Sequence, residues 1–497
     1  MTTHKIHAAQ LRGIEAVPVT IEVSMSHGIP GLSIVGMPNS AVLEARARIR
    51  CALRNSGFTV PRMHITINLA PADLKKEGTA LDLPIAAGIL GATGQIDTEY
   101  LDSCLFAGEL SLDGQVVAPR GSMAYAKLAA KQNLTLITSY STQDALPRCR
   151  CKNLYDLSQL AFGIRRLDDR PKNQCHPSSL TSNTWDLDFA QVYGQELAKR
   201  ALMISVVGSH PIMMVGPPGA GKTMLARRIP SIMDGLSESQ LQESMLIYSV
   251  AQADSKHIPQ GIRPFRAPHH TCSQAGLIGG GRPVIPGEIS LAHNGVLFLD
   301  ELPEFANNVL QTLRQPIENG FVRLVRADGS YVFPCKFLLV CAANPCPCGH
   351  LADPDQGCRC SAAQIQKYQS KLLGPFADRI DMQLFIARPP AKSVIAMQSG
   401  LDSVEMKRRV AEAQKFREDR LARTIPKVLT ATSIGTEFGF TSKALHEFER
   451  MCAGLKLGGR AIRKSAMVAR TIADLEQTAQ VAPEHVVEAL SYRGSVV

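Results

Sequence analysis

Eight consecutive residues, GPPGAGKT from Gly216 to Thr223, follow the spacing G-x-x-x-x-G-K-[ST]. An apolar run, PIMMVG (Pro211–Gly216), leads into them and a helix-forming run, MLARRI, follows. That is the setting this spacing requires. Glycines let backbone N–H groups turn inward onto phosphate oxygens, and the next helix adds its N-terminal dipole. Gly216, Pro217, Pro218, Gly219, Ala220, Gly221, Lys222 and Thr223, with Met224 beside them, are therefore the candidate nucleotide cradle. Lys222 would reach the β- and γ-phosphates, and Thr223 would ligate Mg2+. Further on, LFLDE (Leu297–Glu301) ends an apolar run on two acids. Asp300 can hold Mg2+ through its water shell, and Glu301 stands where a general base would polarise the attacking water. Asn344 closes a third apolar run, where it either hydrogen-bonds the γ-phosphate or its water, or caps the strand end. A nucleotide-gated switch without hydrolysis is the alternative, and Glu301 argues against it.

A second constellation is sulfur. Cys346, Cys348, Cys358 and Cys360 follow C-x-C-x9-C-x-C within NPCPCGHLADPDQGCRC. Four such thiols can supply a tetrahedral shell for Zn2+. C-x-C is tighter than the usual C-x-x-C, and His350 is a substitute ligand. The alternative is four reduced cysteines in an exposed loop. Cys149 and Cys151 form another C-x-C, but no second pair accompanies them.

The elements that position these groups fall into blocks. With 497 residues, roughly three domains are expected. Residues 1–145 mix β-rich runs, VPVTIEV (Val17–Val23) and HITINLA (His64–Ala70), with a helix over Ser40–Asn55 that turns Val42, Ala45, Ile49 and Leu53 to one side. Residues 146–184 are polar and irregular, as a linker is. Residues 185–387 alternate helical patterns with uniformly apolar runs, PIMMVG, GVLFLD (Gly295–Asp300) and FLLVCAA (Phe337–Ala343), which suit a parallel α/β sheet covered on both faces. Residues 388–497 read as helices, with Arg463–Glu476 the clearest.

Composition narrows the classes. Lys plus Arg is 54 against 44 acids, a net charge of +10 that permits a polyanionic partner without requiring one. At 45% apolar and 20% charged residues, global disorder is excluded. The longest apolar stretch, within Leu83–Ala92, falls short of the roughly 20 residues a bilayer needs. The opening MTTHKIHAAQLRG has no apolar core of a signal peptide. Thirteen cysteines without such a signal point to a reducing compartment, so a soluble cytoplasmic protein is expected.

GLSIVGMPNSAVLEARARIR, NLAPADLKKEGTALDLPIAAGIL, VYGQELAKRAL, VGPPGAGKTMLARR, FRAPHHTCSQAGLIGGGRPVIPGEISLAHNGVLFLDELPEF, AANPCPCGH and GPFADRIDMQ, spread from residue 31 to residue 383, resemble the YifB/ComM family of magnesium-chelatase-like AAA+ ATPases. The resemblance implies an AAA+ parallel sheet with a C-terminal helical lid, assembled into a ring, a hexamer, with nucleotide between neighbours. It implies that Arg379, beside Asp378, is an arginine finger acting in trans, a role that suits a guanidinium. Without the resemblance, Arg379 and Asp378 read as a surface pair. Arg460 would be the sensor-2 arginine of the lid, with Arg463 the competitor, and Val192–Gln195 would lie near the adenine.

The same resemblance implies a DNA helicase acting in branch migration and homologous recombination during natural transformation; ATP and Mg2+ follow from the glycine loop, and Zn2+ from the cysteine spacing. Arg266–Glu288 would face the central channel, with His269 and His270 ordering that loop. Arg323, Arg326 and Lys336 lie on a candidate hairpin, FVRLVRADGSYVFPCKF, with Asp328–Gly329 as its turn. On a channel wall they would contact single-stranded, forked or branched DNA through phosphates, without base preference. Solvated charge is the other reading. KKEGTALDLPIA and GELSLDGQVVAPRG make the first block resemble the Lon-protease (S5-like) α+β fold. Ala80 and Ala124 stand where its catalytic serine and lysine would be, and Ser122 and Lys127 are out of register. A chelatase-type motor remodelling a protein partner and an ATP-gated scaffold are the competing functions.

Overall fold

The computed structural model describes residues 3–139, 149–169, 187–327, 329–351, 356–372, 376–389, 395, 400–428 and 433–493. The N-terminal unit is a mixed seven-stranded sheet. Its spatial order is Gly31–Val35, His64–Ala70, Glu15–Ser26, His4–Arg12, Cys104–Phe106, Thr135–Thr138 and Cys151–Asn153. Helix Ser40–Asn55 forms as its periodicity predicts, capped by Asn39, whose side chain accepts from the Val42 N–H. Val42, Ala45, Ile49, Ala52 and Leu53 are its buried face. The apolar run at 83–92 becomes helix Asp82–Ala92, with ten of its eleven residues buried.

The linker expected over 146–184 needs correcting. Cys151–Asn153 pairs in parallel with Thr135–Thr138 as an edge strand, and Leu154, Leu157, Leu160, Ile164 and Leu167 join the N-terminal core. Short 3-10 turns, Leu157–Phe162 and Ile164–Arg166, bring these leucines inward without the spacing of an α-helix. Residues 146–148 and 170–184 of that expected linker lie outside the described residues.

The central sheet is parallel throughout, in the order Phe265–Arg266, Val296–Leu299, Leu338–Ala343, Ile212–Val215, Met382–Phe385. Its three middle strands are the three apolar runs of the sequence, every residue buried. Both faces are covered, so no alternation of polar residues is tolerated. Helices Ser403–Val428, Ser442–Gly454, Gly459–Leu475 and Pro483–Ser491 follow. Met406, Val410, Ala466, Ala469 and Ile472 share one core with Ala201, Leu202 and Leu225 of the central unit, so the helical part is built onto the sheet domain.

The N-terminal unit meets the central one through helix Ser122–Lys131 and helix Glu238–Ala251, where Met123 and Ala124 pack on Met245, Leu246 and Tyr248. Arg120 donates to the Val250 carbonyl at 2.5 Å. Ala124, where a Lon-type lysine would stand, is thus consumed by a domain contact. No helix among the described residues is long and apolar enough to cross a membrane.

Candidate functional site

The loop between strand Ile212–Val215 and helix Lys222–Ile232 turns through Gly219 (φ +79°) and Gly221 (φ +88°), conformations a side chain would strain. Lys222 is the first residue of that helix and is almost fully buried. Its Nζ donates to the carbonyls of Gly216 (2.7 Å) and Pro217 (3.0 Å) and to Asn344 Oδ1 (3.1 Å). Burial pushes its ammonium below the ordinary value, against the pull of Asp300. The Thr223 hydroxyl donates to Asp300 Oδ2 at 2.8 Å. A hydroxyl touching a carboxylate at a strand end is an oxygen set that fits Mg2+, whose remaining positions are filled by water and phosphate. Met224, one position on, is exposed.

Glu301 follows in the left-handed region (φ +51°), which non-glycine residues seldom enter. Its N–H donates to Asp300 Oδ1 at 3.0 Å, and its carboxylate is solvent-facing. It has a partner the sequence reading missed: His270 Nδ1 lies 3.2 Å from Glu301 Oε2. His270 lies tilted against His269, ring centroids 4.1 Å apart, and meets the Phe305 ring edge-on. The histidine pair therefore does more than order its loop, because it ties the loop after strand Phe265–Arg266 to the acid beyond Asp300.

Two further contacts brace the loop. Gln195 donates to the carbonyls of Ala220 (3.4 Å) and Ala387 (2.6 Å), and Arg388 Nε donates to the Pro218 carbonyl at 3.2 Å. Val192 of the Val192–Gln195 stretch is buried in the domain core. Polar residues in loops carry no periodicity, so neither contact was visible in sequence.

Arg379 and Arg460 converge elsewhere. Arg379 sits on the 3-10 turn Ala377–Arg379 with its Nη2 3.1 Å from Glu318 Oε1, and Arg460, at the start of helix Gly459–Leu475, pairs with the same carboxylate. Both arginines hold Glu318 well below the usual carboxylate value, Arg460 more strongly. Asp378 is exposed beside them. Arg463, the competitor for the lid role, pairs instead with Glu437 and lies over the Phe438 ring.

The hairpin forms with strands Phe321–Arg326 and Gly329–Pro334. Its turn differs from expectation: Gly329 already pairs with Arg326 as part of the second strand, and Asp328 lies outside the described residues. Arg323 and Arg326 are three apart on one strand and point to opposite faces. Lys336 lies beyond the hairpin's last strand, its stem over Gly320 at the far end from Arg326. The three cations do not form one patch.

The four cysteines do come together. Cys346, Cys348 and Cys358 sulfurs lie 3.4–3.6 Å apart, and with Cys360 all four are within 4.8 Å. A tetrahedral metal with bonds of about 2.3 Å places its sulfurs roughly 3.8 Å apart, so the cluster fits. Backbone N–H groups of Arg359 and His350 hold the Cys348 thiol down to about 6, whereas burial raises Cys346. What His350 lends Cys348 is its backbone N–H.

Comparison with known proteins gives this geometry a family. Profiles described as "Magnesium chelatase, subunit ChlI", "Subunit ChlI of Mg-chelatase" and "Magnesium chelatase, subunit ChlI C-terminal" match residues 188–394, 21–140 and 400–493. The chain is 39% identical over 502 residues to "Uncharacterized protein YifB" of Escherichia coli K12, covering 99% of this chain and 97% of that protein. It is 38% identical over 498 residues to "Competence protein ComM" of Haemophilus influenzae, with the same coverage. The chain belongs to the YifB/ComM family of magnesium-chelatase-like AAA+ ATPases. "Lon protease 2" of Bacillus subtilis is 28% identical over 150 residues, 29% of this chain and 27% of that protein, in keeping with the Lon-like N-terminal unit. Members of the AAA+ class bind and hydrolyse ATP with Mg2+, and the Thr223–Asp300 contact is the matching feature here.

Proposed function

We propose that the chain is a ring-forming, ATP-driven DNA motor of the cytoplasm, a helicase that drives branch migration in homologous recombination during natural transformation. Lys222, Thr223 and Asp300 hold MgATP, and the bound metal neutralises charge on the phosphates. Glu301 takes the proton of the attacking water, and Asn344 orients that water beside Lys222. Arg379 and Arg460, carried together by Glu318, belong to the site of the next protomer. Their shared pairing with Glu318 gathers the two arginines in one spot, which supports that reading, and it is the observation that carries the ring. Exposed Arg323 at the hairpin supports contact with DNA phosphates. A relative along the whole length bears the name of a competence protein, which supports the cellular role. Zn2+ occupies the four-cysteine cluster.

The chelatase-type alternative, in which the same motor remodels a protein partner, draws on the family profiles. One experiment separates them. Strand displacement and ATP turnover are followed on forked and Holliday-like DNA, with Lys222→Ala as control. Displacement by the wild type and none by the variant is expected. Turnover indifferent to every DNA form contradicts the DNA motor.

A further inference from the structure

The cysteine cluster sits where the nucleotide site is assembled. Strand Leu338–Ala343 ends at Asn344, which accepts from Lys222, and Cys346 follows two residues later. Gly349, inside the cluster's first turn (φ +85°), lies so close to the loop that a Cβ there would fall 2.6 Å from Pro218 Cδ. No larger residue fits, so the cluster's backbone rests directly on the glycine loop. Beyond Cys360, helix Ala362–Leu372 runs back toward the same place. Its Tyr368 phenol lies beside the Asn344 backbone, and Lys371 Nζ donates to the Pro303 carbonyl at 2.9 Å, just past Glu301. Three sides of the site are thus touched by one segment: Pro218 of the loop, Asn344, and the turn after Asp300 and Glu301.

Few of that segment's described residues are buried. Among the four sulfurs only Cys346 is buried, and the first residues of helix Ala362–Leu372 are exposed, with Leu372 its one buried residue. A loop of Gly, Pro and Asp cannot own a core, so a metal cross-link is the element that can order it.

We propose that Zn2+ bound by Cys346, Cys348, Cys358 and Cys360 is the pin that holds Asn344, Pro218 and Pro303 in register, so that metal occupancy sets nucleotide affinity. This rests on the ATP-site reading above. With the ion in place, Lys222 has a fixed Asn344 beside it and the glycine loop has a wall against Gly349. With the ion gone, both supports relax, and the loop must be ordered by the nucleotide itself at a cost in affinity.

The test uses the full chain. Zinc per chain is measured by mass spectrometry as purified, after chelation and removal of the chelator, and after Zn2+ is restored. At each stage the affinity for a fluorescent ATP analogue is measured at constant Mg2+, with hydrogen exchange of residues 216–223 as a second readout. One zinc per chain, affinity about tenfold weaker on stripping with faster exchange of the loop, and recovery with Zn2+ are expected. Cys348→Ser and Cys360→Ser should reproduce the stripped state, and Cys51→Ser, an exposed cysteine elsewhere, should not. Should stripping unfold the chain, Asn344→Ala decides, because it should keep its zinc and still lose affinity. A chain that takes up no zinc, a stripped chain of unchanged affinity, or a full-affinity Asn344→Ala overturns the proposal. A zinc-loaded chain that binds no ATP analogue overturns instead the ATP-site reading beneath it.

Discussion

Replacing Glu318 by glutamine keeps its volume and removes the charge that gathers Arg379 and Arg460. The carboxylate is 42% exposed, Arg460 47% and Arg379 16%. Ion pairs this open to water contribute about 0.2–1 kcal/mol each, so losing both costs about 1 kcal/mol of stability. For a chain of this size that is a fall in Tm of only ~1 °C. The kinetic effect is larger, because an arginine finger supplies roughly 10^3–10^5 of the rate and works only when pre-positioned. Loosening both arginines by about 1 kcal/mol lowers kcat about fivefold, with KM for ATP unchanged, since their role in this account is on the transferring phosphoryl group rather than in ground-state binding. Arg379→Ala should lose about a thousandfold or more. Steady-state ATP turnover and thermal unfolding of the two variants provide the comparison. Wild-type turnover in Glu318→Gln, or a loss as deep as that of Arg379→Ala, refutes the claim that Glu318 presents the pair.

Other perturbations follow from the same geometry. Asp381 is buried, which alone would raise its pKa, but His210 Nδ1 at 3.0 Å and Lys464 hold it below the ordinary value. A depressed carboxylate stabilises the fold fully above the ordinary value near ~4 and loses that contribution as pH falls through the lower folded value. Asp381→Asn should therefore flatten the acid limb of a stability-versus-pH curve, and an unchanged limb would show that the pairing is idle. Glu301→Gln should keep nucleotide affinity while turnover falls by about 10^2–10^4, measured by single-turnover hydrolysis, and near-normal turnover would remove Glu301 as the base. Arg323→Ala should weaken DNA binding uniformly across sequences and make the salt slope shallower by about one, read by fluorescence anisotropy, and an unchanged slope would exclude a phosphate contact.

Much of this was legible in the chain because certain residues have few alternatives. The strands Ile212–Val215, Val296–Leu299 and Leu338–Ala343 are covered on both faces, so their sequences are continuously apolar and their identity was plain. The glycine loop and the cysteine spacing are local patterns, and local patterns survive in one dimension. Glu318 was hidden because Arg460 stands 142 positions away on another helix and Arg379 on a separate 3-10 turn, and an acid in a polar helix has no distinctive neighbourhood. His270 was read as loop ordering because its acid, Glu301, is reached only through the fold. Residues 151–167 looked like linker because Leu157, Leu160 and Ile164 enter the core through 3-10 turns, whose period neither strand nor α-helix templates detect. Arg323 and Arg326 lie on the hairpin and Lys336 beyond it, and register sent Arg323 and Arg326 to opposite faces, a distinction that rests on pairing rather than composition.

The central claim is that each ATP is split at a junction to which two protomers contribute. Mixing Lys222→Ala protein with Arg379→Ala protein tests it most directly. Each alone should be inactive, but a random ring of both contains junctions where an intact Lys222 faces an intact Arg379, about a quarter of the total at equal amounts. ATP turnover near a quarter of wild type, greatest at the equimolar point, is the predicted result. No recovery at any ratio, with mixed rings shown to form by native mass spectrometry, would contradict the account.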